Sequence, residues 1–219
     1  MVGAFENCDA LISISFPLMT TTQINSFSKN FKNCKSLTLL DLWKWDTAQS
    51  TIFPEIFYGC SSLTILNISN FDSSYSKNFD SMFERCSNLV NLDSSEIDTS
   101  LAIHIQCTFK DYVKLTSLDF SNFNTQRVIS MSHMFYNCGS LASLNLQNFD
   151  TSKVTNMANK FYESSGLDLL DITSFVEDSL ANYDNVFNGL KKGMTIKISK
   201  NKCAKLYNSI PEGINIEES

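Results

Sequence analysis

Glycine and proline are scarce, at seven and three among 219 residues, while the apolar share is 43% and phenylalanine alone occurs seventeen times. That balance excludes a disordered tail and leaves one globular body. No apolar run approaches the roughly eighteen residues of a membrane span, and Met1 to Ala10 has neither the basic start nor the apolar centre of a secretion signal. Basic charge is in deficit, with a net charge of −6 and a pI near 4.9. Nucleic acid and anionic membranes both call for a basic surface, so neither is expected as a partner. Seven cysteines, an odd number, do not make a disulfide framework. There is no glycine-rich phosphate loop, H-E-x-x-H, G-x-S-x-G or kinase signature. His104 and Cys107 have the H-x-x-C look of half a zinc site, but no second half stands at a matching spacing. An enzyme, a metal and a cofactor are therefore not expected.

What the chain does have is a fixed interval. Phe5, Phe31, Phe57, Phe83, Phe109, Phe135, Phe161 and Phe187 are each 26 residues apart. An unchanging period in the twenties predicts a solenoid. With the phenylalanine as position one, position seven is Leu11, Leu37, Leu63, Leu89, Leu115, Leu141 and Leu167. Position ten is Ile14, Leu40, Leu66, Leu92, Leu118, Leu144, Leu170 and Ile196, and position twelve is mostly Leu, Ile or Phe, broken by Ser94. This L-x-x-L-x-L pattern predicts a strand whose positions ten and twelve turn inward and whose position eleven faces solvent.

Position fifteen is apolar, as in Met19, Trp45, Phe71 and Phe149, and an Asp-Thr or Asp-Ser pair such as Asp46-Thr47 or Asp150-Thr151 follows in several coils. Short side chains that hydrogen-bond nearby backbone make turns, so these aspartates read as structural. Apolar residues three or four apart then recur at Val128, Met131, Met134 and Phe135, and at Val154, Met157 and Phe161. That spacing predicts one or two helical turns on the convex side. The fold expected is α/β: a leucine-rich-repeat solenoid with a parallel sheet on one face and short helices or turns on the other. Its span is 1–199, about seven full coils plus a last strand, with a C-terminal cap over 200–219. Strands about 4.8 Å apart make a rod on the order of 35 to 40 Å long.

Two features of the outward face suggest contact with a partner. Leu39 and Trp43 in one coil and Ile65 in the next are apolar where other coils carry Asn91, Ser117, Ser143, Ser69, Ser95 or Ser121. An apolar cluster on a polar face is a contact surface, or the place a cap or neighbouring domain covers. Position eleven forms a ladder, Asp41, Asn67, Asp93, Asp119, Asn145 and Asp171. Three readings of the ladder stay open: it keeps an exposed sheet soluble, it meets a basic partner, or it holds a cation. A linear ladder does not by itself converge the six to eight oxygens that calcium takes.

Cys8, Cys34, Cys60, Cys86 and Cys138 all occupy position four, which reads as a column of small buried thiols. Only Met1 to Ala4 precede Phe5, so the first coil lacks its return segment and the chain is expected to be part of a longer array. At the other end, Met194 to Ser199 is expected as the last edge strand, shielded by Lys197 and neighbouring lysines, with a short helix over 201–210.

The string MFYNCGSLASLNLQNFDTSKVTNM and its relatives FYGCSSLTILNISNFDSS and LTSLDFSNFNT resemble the repeat of BspA-like leucine-rich repeat surface proteins of bacteria and parasitic protists. The resemblance runs from about Phe5 to Gly193. It implies a right-handed solenoid displayed on a cell surface, where such proteins act as adhesins or antigens toward host matrix or cell-surface proteins. It brings no catalytic residue. The chain carries neither the signal peptide nor the anchor such a role requires, so an intracellular scaffold or structural spacer is the alternative reading. A monomer is expected in either case. Carbohydrate binding on Trp43 and the Asp/Asn ladder is a third reading.

Overall fold

In the computed structural model, which describes residues 1–16, 20–42, 44–68, 70–93 and 97–219, the chain winds into a parallel-sheet solenoid of about seven coils. Its elements are β1 (Ser13–Ser15), β2 (Leu39–Asp41), β3 (Ile65–Leu66), β4 (Asn91–Leu92), β5 (Ser143–Asn145), β6 (Leu169–Asp171), β7 (Thr195–Ile198), α1 (Ala204–Asn208) and β8 (Asn215–Glu218). All pairing is parallel, β1 with β2, β3 with β4, and β5-β6-β7-β8 in sequence. Through β7 the register equals the repeat: Ile14 lies beside Leu40, and Leu144 beside Leu170 and then Ile196 beyond it. No strand longer than four residues is needed, because each coil is closed by its neighbours rather than by itself.

The core is one continuous column. The position-one rings stack from Phe5 to Phe187, with neighbouring centroids 5.4 to 6.1 Å apart and planes within 14° of parallel. Replacing Phe109 or Phe135 by alanine removes a fully buried ring and costs about 3 to 5 kcal/mol. Beneath the rings run two polar ladders. Cys34, Cys60, Cys86 and Cys138 each direct Sγ to the carbonyl of the preceding coil's position-one phenylalanine, at 3.1 Å every time. At position seventeen the buried hydroxyls of Thr47, Thr99 and Thr125 donate to the backbone carbonyl of the next coil, and Asp98 and Asn124 return N–H bonds to Ser73 and Thr99. The aspartates beside them accept the N–H two residues on, as Asp150 does from Ser152 at 2.9 Å. These aspartates close turns, as their pairing with a hydroxyl residue implies.

The return segments are not helical. Among the described residues the single α-helix is α1, and each coil carries two residues with left-handed backbone on either side of its phenylalanine. His133 (φ 57°) and Asn137 (φ 54°) flank Phe135; Lys29 (φ 60°) and Asn33 (φ 59°) flank Phe31. Amides alternate in their use. Met131, His133, Phe135 and Asn137 donate N–H to the next coil at Asn156, Ala158, Lys160 and Tyr162, while Met134 and Tyr136 donate three residues back within their own coil. A succession of three-residue turns buries every third side chain much as a helix buries every third or fourth. Val128, Met131, Met134 and Phe135 are thus all buried, as their spacing requires, in a conformation that bonds outward to the neighbour instead of inward to itself. Parallel bridges from Ser26 through Ile52, Asn78, His104, Ser130 and Asn156 to Asn182 continue this second seam.

One coil departs from its neighbours. Ser117 to Asp119 is not a strand, and Leu118 is only half-buried where Leu92 and Leu144 are buried. This is the coil in which Tyr112 replaces the column cysteine. Its ring is fully buried, edge-on to Phe109 at 6.2 Å, and its hydroxyl has no hydrogen-bond partner among the described residues.

The C-terminal end also differs from expectation. The helix forms, but β7 is not the edge, because β8 adds to it in parallel and Lys197 pairs with Glu217 at 3.2 Å. The exposed edge is therefore acidic, carrying Glu217 and Glu218, and charge of either sign on an edge discourages further pairing. At the first coil Phe5, Leu11, Ile14 and Phe16 are only partly buried. No helix among the described residues is long and apolar enough to cross a membrane.

Candidate functional site

The strand face is positioned by the alternation that builds the core. In β5 the middle residue Leu144 is buried while Ser143 and Asn145 are exposed, and the same alternation turns Leu39 outward in β2 and Ile65 outward in β3. Leu39 is 63% exposed and Ile65 71% exposed. Ile12 and Val90, one place earlier in their coils, and Leu169, at the place of Leu39 and Ile65 in β6, are also exposed. Sequence reading missed Ile12 and Val90, although position eight is threonine at Thr38, Thr64 and Thr116 and the contrast is visible there. Trp43 lies outside the described residues.

The ladder is less uniform than its sequence. Asn67, Asp93, Asp119 and Asn145 are exposed, Asp41 is half-buried, and Asp171 is buried, against the expectation that all face solvent. Asp171 turns back because its Oδ1 accepts from the N–H and hydroxyl of Thr173 while its Oδ2 accepts from Gln147 Nε2 at 2.8 Å. Asp119 and Asn145 likewise accept the N–H two residues on, from Ser121 and Gln147 at 2.8 and 3.0 Å. The ladder thus also closes the end of each strand. Among the described residues, shallow grooves cross the face. One is lined by Ser13, Ser15, Leu39 and Asp41, and another by Asp119, Phe120, Asn145 and Gln147.

The arrangement offers contact surface rather than reactive groups. Among the described residues no three of His, Cys, Asp and Glu gather as a metal site. His104 is exposed on the bridge seam, and the half-buried Cys107 has its thiol pushed up to about 11, chiefly by desolvation. A metal ligand must be the thiolate, which that environment disfavours. Cys86 and Cys138 are pushed up to about 12 by burial in the column, and all seven cysteines are free.

The family profile described as "Mycoplasma protein of unknown function, DUF285" matches residues 1–117 and 104–209. The chain belongs to that family. No curated protein matches it. Among solved structures, a leucine-rich repeat protein from Bacteroides ovatus ATCC 8483 is similar over 100% of this chain and 86% of its own, with 13% identity and a TM-score of 0.25. The coil geometry described above makes this family member a leucine-rich-repeat-like solenoid.

Proposed function

We propose that this protein is a cell-surface interaction module of the BspA-like leucine-rich repeat kind, an adhesin or surface antigen that binds a host matrix or cell-surface protein through its strand face. The observation that carries this reading is the exposure of Leu39 and Ile65 at the same position of adjacent coils on the strand face. Large exposed aliphatic side chains beside one another gain from being covered, each by roughly 1.5 to 3 kcal/mol if fully desolvated. Asp41 and Asp93 to either side select a partner with basic groups at the rim. The test is capture of immobilised matrix proteins by the native chain and by Leu39→Ser/Ile65→Ser, with circular dichroism to verify the fold. Capture lost in the variant supports the strand face; capture unchanged moves the site elsewhere.

An intracellular scaffold is the second reading, favoured by the seven unpaired thiols. Thiol counting under denaturing, non-reducing conditions on protein from its natural source separates the two. Paired thiols favour export, and seven free thiols fit a reducing compartment.

A further inference from the structure

We propose that the return side of the solenoid carries a second binding surface, distinct from the strand face, that takes an acidic polypeptide segment with apolar side chains. Residues 75–77, 101–103, 127–129 and 153–155 hold the same place in four successive coils, and their middle members Ser76, Ala102, Val128 and Val154 are all buried. Their outer members therefore face out in two parallel columns. Backbone bonds fix one column, with Ile103 N–H on the Lys77 carbonyl at 2.9 Å and Ile129 N–H on the Ile103 carbonyl at 3.1 Å. Ile129 is 45% exposed and Tyr75 59%. Ile103, Arg127, Ile129 and Lys153 line a common depression.

The depression itself is lined by two cations, Arg127 and Lys153, and, among the described residues, by no carboxylate, in a chain whose net charge is −6. Lys77, Arg127 and Lys153 are exposed and take part in none of the ion pairs among the described residues. The nearby aspartates are turned to the backbone: Asp72, Asp98 and Asp150 each accept the N–H two residues on. The hydrogen bonds from Ser152 do more than Lys153 to lower the Asp150 carboxyl. Cations standing beside exposed isoleucine and tyrosine complement carboxylates interleaved with aliphatic groups. A sulfated sugar chain would satisfy the cations and leave Ile103 and Ile129 uncovered, so a polypeptide is the occupant the surface favours.

The test is fluorescence anisotropy with the full chain and a short labelled peptide alternating glutamate with isoleucine, beside one alternating glutamate with serine, and with heparin as competitor. Arg127→Glu/Lys153→Glu should weaken the glutamate–isoleucine peptide roughly tenfold, as loss of two opposed charges implies. Lys114→Glu/Lys192→Glu, which makes the same change in net charge elsewhere, should leave it unchanged. Leu39→Ser/Ile65→Ser should also leave it unchanged, which separates this surface from the strand-face reading. Three results would overturn the proposal: equal loss in both charge-reversed variants, equal binding of the glutamate–serine peptide, or tighter binding of heparin that Arg127→Glu/Lys153→Glu abolishes.

Discussion

Nζ of Lys160 stands 2.9 Å from Sδ of Met131, and neither side chain reaches the surface. Around the amine are the faces of Phe135, Phe149, Phe161 and Phe175, with centroids at 4.8 to 5.9 Å. Desolvation alone sets its pKa, which lies well below the ordinary lysine value of 10.5. Ring faces attract a cation by about 2 kcal/mol when desolvated, whereas burying an ion with no counter-charge costs several kcal/mol. Burial among the rings thus favours the neutral amine, whose N–H points to the thioether. Other coils place Asn30, Ile56, Met82, Thr108, Met134 and Val186 here.

Lys160→Met should therefore stabilise the protein at neutral pH, with Tm rising by roughly 2 to 4 °C for each kcal/mol gained. The pH dependence has a definite sign. Between the lowered native value and 10.5 the unfolded chain binds a proton that the native one does not, so native stability rises with pH across that window. The advantage of the methionine variant should shrink as melts are repeated from pH 7 toward pH 10. An advantage that stays constant from pH 7 to pH 10 would mean the amine is charged in the native state.

Asn137 is held at φ 54°, where asparagine is tolerated and a β-branched residue is not. Asn137→Val should lower stability by about 1 to 3 kcal/mol, read from the urea midpoint, whereas Asn137→Gly should be close to neutral. Equal losses in both would assign the effect to the 3.0 Å bond from Asn137 Nδ2 to Asp111 instead of to the backbone.

Tyr112 buries a hydroxyl without a partner among the described residues, and burial raises its pKa well above the ordinary value of 10.0. Tyr112→Phe keeps the ring and removes the stranded oxygen. It should gain about 1 kcal/mol or more, the low end of the cost of an unsatisfied buried group. A lower melting temperature in the variant would indicate that the hydroxyl is bonded after all.

Cys8 is exposed, while Cys34, Cys60, Cys86, Cys138 and Cys203 are buried and Cys107 half-buried. Burial raises the thiol pKa of these six, Cys34 and Cys107 to about 11 and Cys86, Cys138 and Cys203 to about 12, so thiolate is scarce at pH 8. Maleimide at that pH should add one label in the native state and seven in denaturant, counted by intact mass. Several labels in the native state would show that the column opens on the labelling timescale. Because each pKa is raised above its ordinary 9.0, the stability these thiols contribute is complete below that pH and is lost as pH climbs through the native values.

Much of this architecture was legible in the residues. Position-one phenylalanine, the column cysteines and the inward leucines recur because every coil meets the same environment, so side-chain identity reports burial directly. The strand-face candidates followed from the same alternation, and Leu39 and Ile65 are exposed where it places them. A signal for the return turns was also present, since Asn7, Asn33, Asn137, Gly59 and Gly189 all stand at position three, the residue types that accept left-handed backbone. It competes with an apolar spacing that a helix satisfies equally well.

By itself, then, the sequence determined the period, the inward columns and the turn-forming aspartates, because those depend on contacts repeated in every coil. Only the tertiary structure decided between helix and successive turns. The deciding bonds, such as Phe135 N–H to the Lys160 carbonyl, exist only between stacked coils. It also decided the positions where a residue departs from its column: the turned-back carboxylate of Asp171, the added strand β8 against Lys197, and the lone amine of Lys160 among four rings. A repeat predicts what its members share, whereas the surroundings of a departure depend on which particular neighbours lie above and below it.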